Sequence, residues 1–327
     1  MFPIIFHLPL LHIPIYGYGV MMVCAFLATQ WLASRLATLR GLDGEIFVNI
    51  ALISLVVGVI GARASSVLEN LSYYTNPRLG VWDNFLNMIN IRSGGLTYYG
   101  GVILAAPAVL GYILWKKVPP RLAIDICAPC LTLGLAIGRI GCFLNGCCYG
   151  ANANVPWAVE FPYSAVGAYA DQVDQGRITP PPELLVPTAG DHVRLATMEE
   201  INQGFAVSST GAHYMLAPNA RAVAAGQHSL PVHPAQLYST ITSLLITAIV
   251  LCYFFTPHSP GRCLALTFML EGPSRFLLEM LRVEPPVLGQ MSLSMVIGLG
   301  IFAVGVVLWF SLAPAKKPAS PAVQPAM

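Results

Sequence analysis

Apolar and polar positions fall in long blocks along this chain, not in the short periods of soluble helices or strands. Seven apolar runs are long enough to span a bilayer, at about 15–36, 46–68, 96–115, 122–144, 235–255, 263–281 and 291–312. A spanning helix needs about 20 mostly apolar residues. The pattern predicts an all-α polytopic membrane protein of seven transmembrane helices with a small extracytoplasmic cap. Residues 1–144 hold helices one to four, 145–232 the cap segment, 233–312 helices five to seven, and 313–327 a disordered tail rich in Pro, Ala and Lys.

Composition agrees. Of 327 residues, 56% are hydrophobic and 10% charged, against roughly 25% charged in soluble domains. An ordinary soluble enzyme is excluded. The formal net charge of +2 gives no reason to expect a nucleic-acid partner. Flanking charge sets orientation. Lys116, Lys117, Lys316 and Lys317 fall on one face, with Arg35, Arg40, Arg121 and Arg262. That face is expected to be cytoplasmic, placing the N-terminus outside and the C-terminus inside.

Some polar residues interrupt the apolar runs, and a charge at membrane depth is costly unless it faces a cavity or a partner. The fourth run closes in Gly138-Arg-Ile-Gly-Cys-Phe-Leu-Asn-Gly-Cys-Cys-Tyr-Gly150. Arg139 can fork onto a phosphate or carboxylate, or pair with Glu271 or Glu279. The sixth run carries Glu271, Arg275 and Glu279 four residues apart, with Arg282 near the same stripe. Such spacing lines one helix face and points it to a polar cavity. Gly94-Gly-Leu-Thr-Tyr-Tyr-Gly-Gly101 opens run three, as a re-entrant or tightly packed turn lining a site. Tyr16-Gly-Tyr18-Gly opens run one, Arg63 closes run two, and His233-Pro-Ala-Gln-Leu-Tyr238 opens run five, ordering the cap against the bundle. Cys142, Cys147 and Cys148 can form a disulfide or a three-thiolate metal site with one outside ligand.

With these residues assembled, the chain resembles the prolipoprotein diacylglyceryl transferase family of bacterial inner (plasma) membranes. The residues that carry the resemblance are Tyr18-Gly19, Gly-x-x-Gly-Ala-Arg63, the paired glycines before and after Tyr99, Gly138-Arg-Ile-Gly with Asn145 and Gly150, His233-Pro-x-Gln-Leu-Tyr, and Arg275-x-x-x-Glu279. The resemblance implies transfer of diacylglyceryl from phosphatidylglycerol to the lipobox cysteine thiol of a preprolipoprotein. A thioether forms and glycerol phosphate leaves, with no metal or organic cofactor. Arg139 and Arg275 would hold the phosphate, Glu279 would order Arg275, and Tyr18, Arg63, Asn145, Gly150 and Glu271 would line the lipid site.

The chain departs from the family pattern at four places. Tyr99 stands for its histidine, Cys142 for an asparagine, Cys147 for a glutamate and Glu271 for a tyrosine. Tyr99 is the expected substitute base. Two other readings stay open: a paralogue moving a lipid-derived group to another acceptor, and a non-catalytic binder of anionic lipid that uses its cysteines for metal or redox sensing.

Overall fold

The computed structural model describes residues 4–7, 14–75, 80–90, 95, 97–165, 167–188, 193–207, 213–282, 286–289 and 291–312. It is mostly helical. The helices that match the apolar runs are α1 Gly17–Leu39, α2 Gly44–Glu69, α5 Tyr98–Trp115, α6 Pro120–Asn145, α10 Ala235–Phe254, α11 Arg262–Glu279 and α12 Leu293–Ser311. Five of them, α1, α2, α6, α10 and α12, are long and apolar enough to cross a membrane. The apolar part of α5 is shorter, Tyr99–Trp115, and α11 is interrupted by its charged stripe. The expected start of run three at Leu96 lies outside the described residues, as does the tail from 313. Large apolar side chains such as Leu27, Trp31, Ile60, Ile103 and Val307 are exposed, as lipid-facing positions require.

The chain divides into two compact units, taken here in turn. One comprises Phe26–Leu131, Val250–Thr267 and Val307–Met327. Asp43 caps α2, accepting from the Glu45 N–H at 2.9 Å. Helices α2 and α5 pack through glycine. A Cβ at Gly61 would stand 2.5 Å from the Gly100 carbonyl oxygen, and one at Gly101 would stand 3.0 Å from the Gly58 carbonyl oxygen. Small residues let helix backbones approach this closely. The glycines after Tyr99 therefore serve a helix–helix contact, not a re-entrant turn; Gly94 is outside the described residues. Two short helices lie between α2 and α5, α3 Leu71–Tyr74 and α4 Val81–Ile89. The strongly amphipathic α4 was not anticipated, because nine residues are too few to stand out against spanning runs.

Asp125 organises another part of this unit. Fully buried on α6, it accepts from Gly261 N at 2.7 Å and Cys263 N at 2.9 Å. It thereby caps the start of α11 from a different helix, filling orphan donors that every helix N-terminus leaves. His258 Nε2 stands 3.5 Å from the same carboxylate.

The other unit comprises Met1–Ala25, Thr132–Ile249 and Phe268–Val306. It holds the polar segment between α6 and α10, which folds as short elements: α7 Ala168–Asp174, α8 Met198–Gln203 and α9 Ala220–Ala225, with antiparallel pairs Leu185–Pro187 with Val193–Leu195 and Phe205–Val207 with His213–Met215. Tyr163, Tyr169, Leu184, Val186 and Ile201 form its small core. Thr197 and Glu200 make a reciprocal capping box on α8. A second cluster, Phe161, Ala165, Ala168 and Val232, packs against Phe143 near the end of α6. Helices α11 and α12 also meet through glycine: a Cβ at Gly272 would lie 2.6 Å from the Gly298 carbonyl oxygen.

Candidate active site

The end of α6 turns back sharply after Asn145. Gly146 has φ 73, and the Cys147 N–H reaches the Cys142 carbonyl at 3.1 Å. A side chain at Gly146 would sit 2.7 Å from the Ala165 Cβ, so glycine is required there by space and by φ. Cys148 follows with φ 61, one of two described non-glycine residues at positive φ. Gly150 then passes a tight gap. Its N–H donates to the His233 carbonyl at 2.9 Å, and a Cβ on it would stand 2.7 Å from the His233 Cβ and 2.8 Å from the Leu281 oxygen. The glycines of this stretch thus let the start of α10 and the end of α11 close on the turn.

Three thiols meet at the turn. The sulfurs of Cys142, Cys147 and Cys148 all lie within 4.8 Å of one another, with no disulfide between them. Hydrogen bonding to Cys142 and then Cys147, joined by the charges of Arg139 and Arg282, holds the Cys148 thiol far below the usual thiol range. The Asn145 side chain bonds to Cys147. Buried Gln236 donates from Nε2 to the Cys147 carbonyl at 2.7 Å. Tyr18 lies on α1, with its ring 3.2 Å from where a Gly141 Cβ would be. The three thiols and Arg139 all act on it electrostatically.

The charged stripe of α11 belongs to the same unit. Glu279 is 2% exposed. Its Oε2 stands 3.6 Å from Arg275 Nη2 and 3.5 Å from Arg282 Nη1, and its Oε1 accepts from Ser292 Oγ at 3.2 Å. Arg275 Nη2 also donates to Ser294 Oγ at 2.8 Å. Arg139 and Arg275 are the cationic neighbours of Glu271. The Arg139 Nε and the Glu271 Oε2 are buried without a hydrogen-bond partner among the described residues. Ser292 and Ser294 carry no signal in the sequence; only the fold brings them to the stripe.

Two hollows border these residues. A cavity of about 180 Å³ is lined by Cys148, Gly150, Asp171, Arg177 and Arg282, among others. A wider groove of about 440 Å³, lined by Tyr238, Leu245, Ile246, Leu277 and Leu281 among others, runs between α10 and α11. Beside it, the Tyr238 hydroxyl accepts from Trp157 Nε1 at 2.7 Å and stands 3.3 Å from His233 Nδ1.

Two expected site residues lie in the other unit. Tyr99 stands at the start of α5, 52% exposed. Arg63 is 6% exposed, and the fold itself occupies its guanidinium. Nε donates to the Met88 carbonyl at 2.7 Å, Nη2 to the Asn87 carbonyl at 2.7 Å, and Nη1 to the Tyr74 hydroxyl and the Gly95 carbonyl, both at 3.0 Å. The Arg63 Cζ lies over the Tyr74 ring, 4.6 Å from the ring centroid. Run-two spacing marks Arg63 as an intramembrane cation, but not that backbone carbonyls surround it.

The sequence model of a family described as prolipoprotein diacylglyceryl transferase matches residues 3–311. Among similar proteins, one from Corynebacterium glutamicum named phosphatidylglycerol–prolipoprotein diacylglyceryl transferase is 27% identical over 311 residues, which is 93% of this chain and 81% of that protein. Proteins of the same name from Finegoldia magna and Clostridium tetani are 25% and 24% identical, covering 90% and 86% of this chain and the same shares of their own.

Proposed function

This chain belongs to the prolipoprotein diacylglyceryl transferase family, and from that premise we propose that it moves the diacylglyceryl group of phosphatidylglycerol to the lipobox cysteine thiol of a prolipoprotein. The carrying observation is Arg139. Its Nε is buried in an apolar helix without a partner among the described residues, and a guanidinium left so pays a desolvation penalty unless an anion meets it. A phosphodiester supplies that anion. Arg139 and Arg275 flank Glu271 and would grip the phosphate, neutralising the charge that builds as glycerol phosphate leaves. Glu279, bracketed by Arg275 and Arg282, holds Arg275 in place. Tyr18, Asn145 and Gly150 border the headgroup, and the groove between α10 and α11 takes hydrocarbon chains.

Arg63 is assigned to the scaffold, since its donors serve protein carbonyls. The thiol must ionise to attack carbon, and Tyr99 is the side chain that stands for the family histidine. A phenol takes up a proton only once it has itself ionised, which for a free phenol requires a pH of about 10. On this reading all seven apolar helices span the bilayer. The 145–232 cap lies outside, the C-terminus lies in the cytoplasm, and α5 and α11 cross despite their length and charge by packing against other helices.

The test is transfer of labelled diacylglyceryl from phosphatidylglycerol vesicles to a lipobox peptide by the purified full chain. The expected result is label on the peptide thiol, lost in Arg139→Ala. Phosphatidylglycerol binding without transfer, under conditions where a relative is active, sinks the reading. Retained transfer in Tyr99→Phe removes only the phenol from the chemistry.

A further inference from the structure

We propose that Cys142, Cys147 and Cys148 form a zinc site whose open fourth position binds the lipobox thiol as a thiolate and presents it to the glyceryl carbon. This inference rests on the transfer reading above and supplies the activation step that the reading lacks.

The geometry is that of a built site. The thiols are five and six positions apart along the chain, yet their sulfurs stand within 4.8 Å of one another. A tetrahedral zinc with bonds of about 2.3 Å sets its sulfurs roughly 3.8 Å apart, so small side-chain rotations close the gap. Two features of the turn create the convergence. Gly146 reverses the chain, and Cys148 takes φ 61, a conformation that costs a non-glycine residue about 1–2 kcal/mol. Glycine would fit Cys148's place without that strain, and what cysteine adds is a sulfur aimed at the other two. Backbone strain of this kind gathers at working sites. Gln236 fastens the Cys147 carbonyl and Asn145 its side chain.

The donor chemistry selects the ion and its use. Thiolates favour zinc over magnesium or calcium. Three protein ligands and one open position mark a catalytic zinc, where four would mark a structural one. Zinc with three thiolates carries a charge of −1, and a fourth thiolate makes it −2. Arg139 and Arg282 act on Cys148 and offset that charge. Cys148 also lines the cavity of about 180 Å³, which gives the fourth ligand a way in.

The step balances. The lipobox thiol coordinates zinc and its proton passes to solvent, because a coordinated thiol is deprotonated outright. The sulfur lone pair attacks the glyceryl CH₂ that bears the phosphate. An S–C bond forms and the C–O bond breaks. The electron pair goes to the phosphate oxygen, and glycerol phosphate departs against Arg139 and Arg275. The thioether is a weak ligand and leaves the metal. Nothing is oxidised or reduced, and Tyr99 need not act as a base.

The experiment uses the full chain in detergent, with zinc content, cobalt substitution and transfer measured on the same preparation. The expected result is one zinc per chain, lost in Cys142→Ser, Cys147→Ser and Cys148→Ser and kept in Cys24→Ala and Cys252→Ala, both at exposed positions. Cobalt should show thiolate charge-transfer absorption that changes when a lipobox peptide binds, and does not change with its serine analogue. Chelation should lower transfer by about 100-fold or more, and zinc should restore it. Full transfer without metal, transfer unchanged by chelation, or a disulfide within the trio of the active chain each overturns the site and leaves the transferase reading standing. Zinc with a peptide-shifted cobalt spectrum but no transfer in any preparation supports the site and sinks the transferase reading.

Discussion

Arg63 and Arg139 are two arginines in apolar helices, each preceded closely by glycine, and the fold treats them oppositely. Every donor nitrogen of Arg63 reaches a carbonyl or hydroxyl of the protein, and an aromatic ring covers its face. Arg139 keeps a buried donor with no partner among the described residues. The first joins α2 to the segments before α5. The second has an Nε that no described residue meets. A charge at membrane depth is therefore only half a functional signal; the other half is whether its hydrogen bonds are already made.

The two three-residue ligand clusters found among the described residues repeat the lesson. Asp125, His258 and Cys263 come as close together as the three cysteines do. Yet both Asp125 oxygens accept backbone N–H bonds, and His258 Nδ1 sits 2.6 Å from the Thr256 carbonyl. Those groups are occupied in fastening α11, so the cluster reads as structural. The three thiols at the end of α6 bond to one another and to the Cys142 carbonyl instead, and among the described residues they fasten no other helix.

The largest expected effect separates the arginines directly. Arg139→Ala should lower transfer on the order of 10²- to 10³-fold, while thermal unfolding in detergent moves little. Arg63→Ala should do the reverse. It leaves four acceptors unpaired and should cost about 3 kcal/mol or more, read as a fall in unfolding temperature, with the activity of the folded fraction retained. Equal loss of activity at equal stability would erase the distinction. Gly150→Ala comes next, at about 1–3 kcal/mol, because its methyl meets His233 and Leu281. Gly138→Ala should be near neutral, since a Cβ there meets nothing within 4 Å; a similar loss at both would mean that the tight gap does not matter. The smallest effect is at Cys148. Cys148→Gly should be more stable than Cys148→Ala by about 1 kcal/mol, as measured by thermal unfolding of the two. A tie would mean that the backbone at Cys148 carries no strain.

Much of this was legible in residue order. Each apolar run returned as a helix, because a stretch of about 20 apolar residues has few other ways to satisfy its backbone in lipid. The Glu271, Arg275 and Glu279 stripe was legible as well, since a four-residue spacing keeps its face in any α-helix. The kept motif residues, Arg139, Asn145, Gly150 and Arg275 among them, carried the family. Missing from the pattern was α4, whose nine residues are too short to stand out.

Tertiary structure decided the rest, through distances that spacing cannot encode. It put the glycines of α5 against α2, where a re-entrant or tightly packed turn lining a site was the expectation, because backbone carbonyls there leave no room for a Cβ. It surrounded Arg63 with acceptors contributed from positions 74 to 95 and left Arg139 short of one. It also folded three cysteines that straddle a helix end onto one point. Residue order by itself determined which groups this chain would have to carry into the membrane. Which of them the protein satisfies, and which it leaves for a ligand, depends on hydrogen bonds between distant segments, and those exist only once the chain has packed.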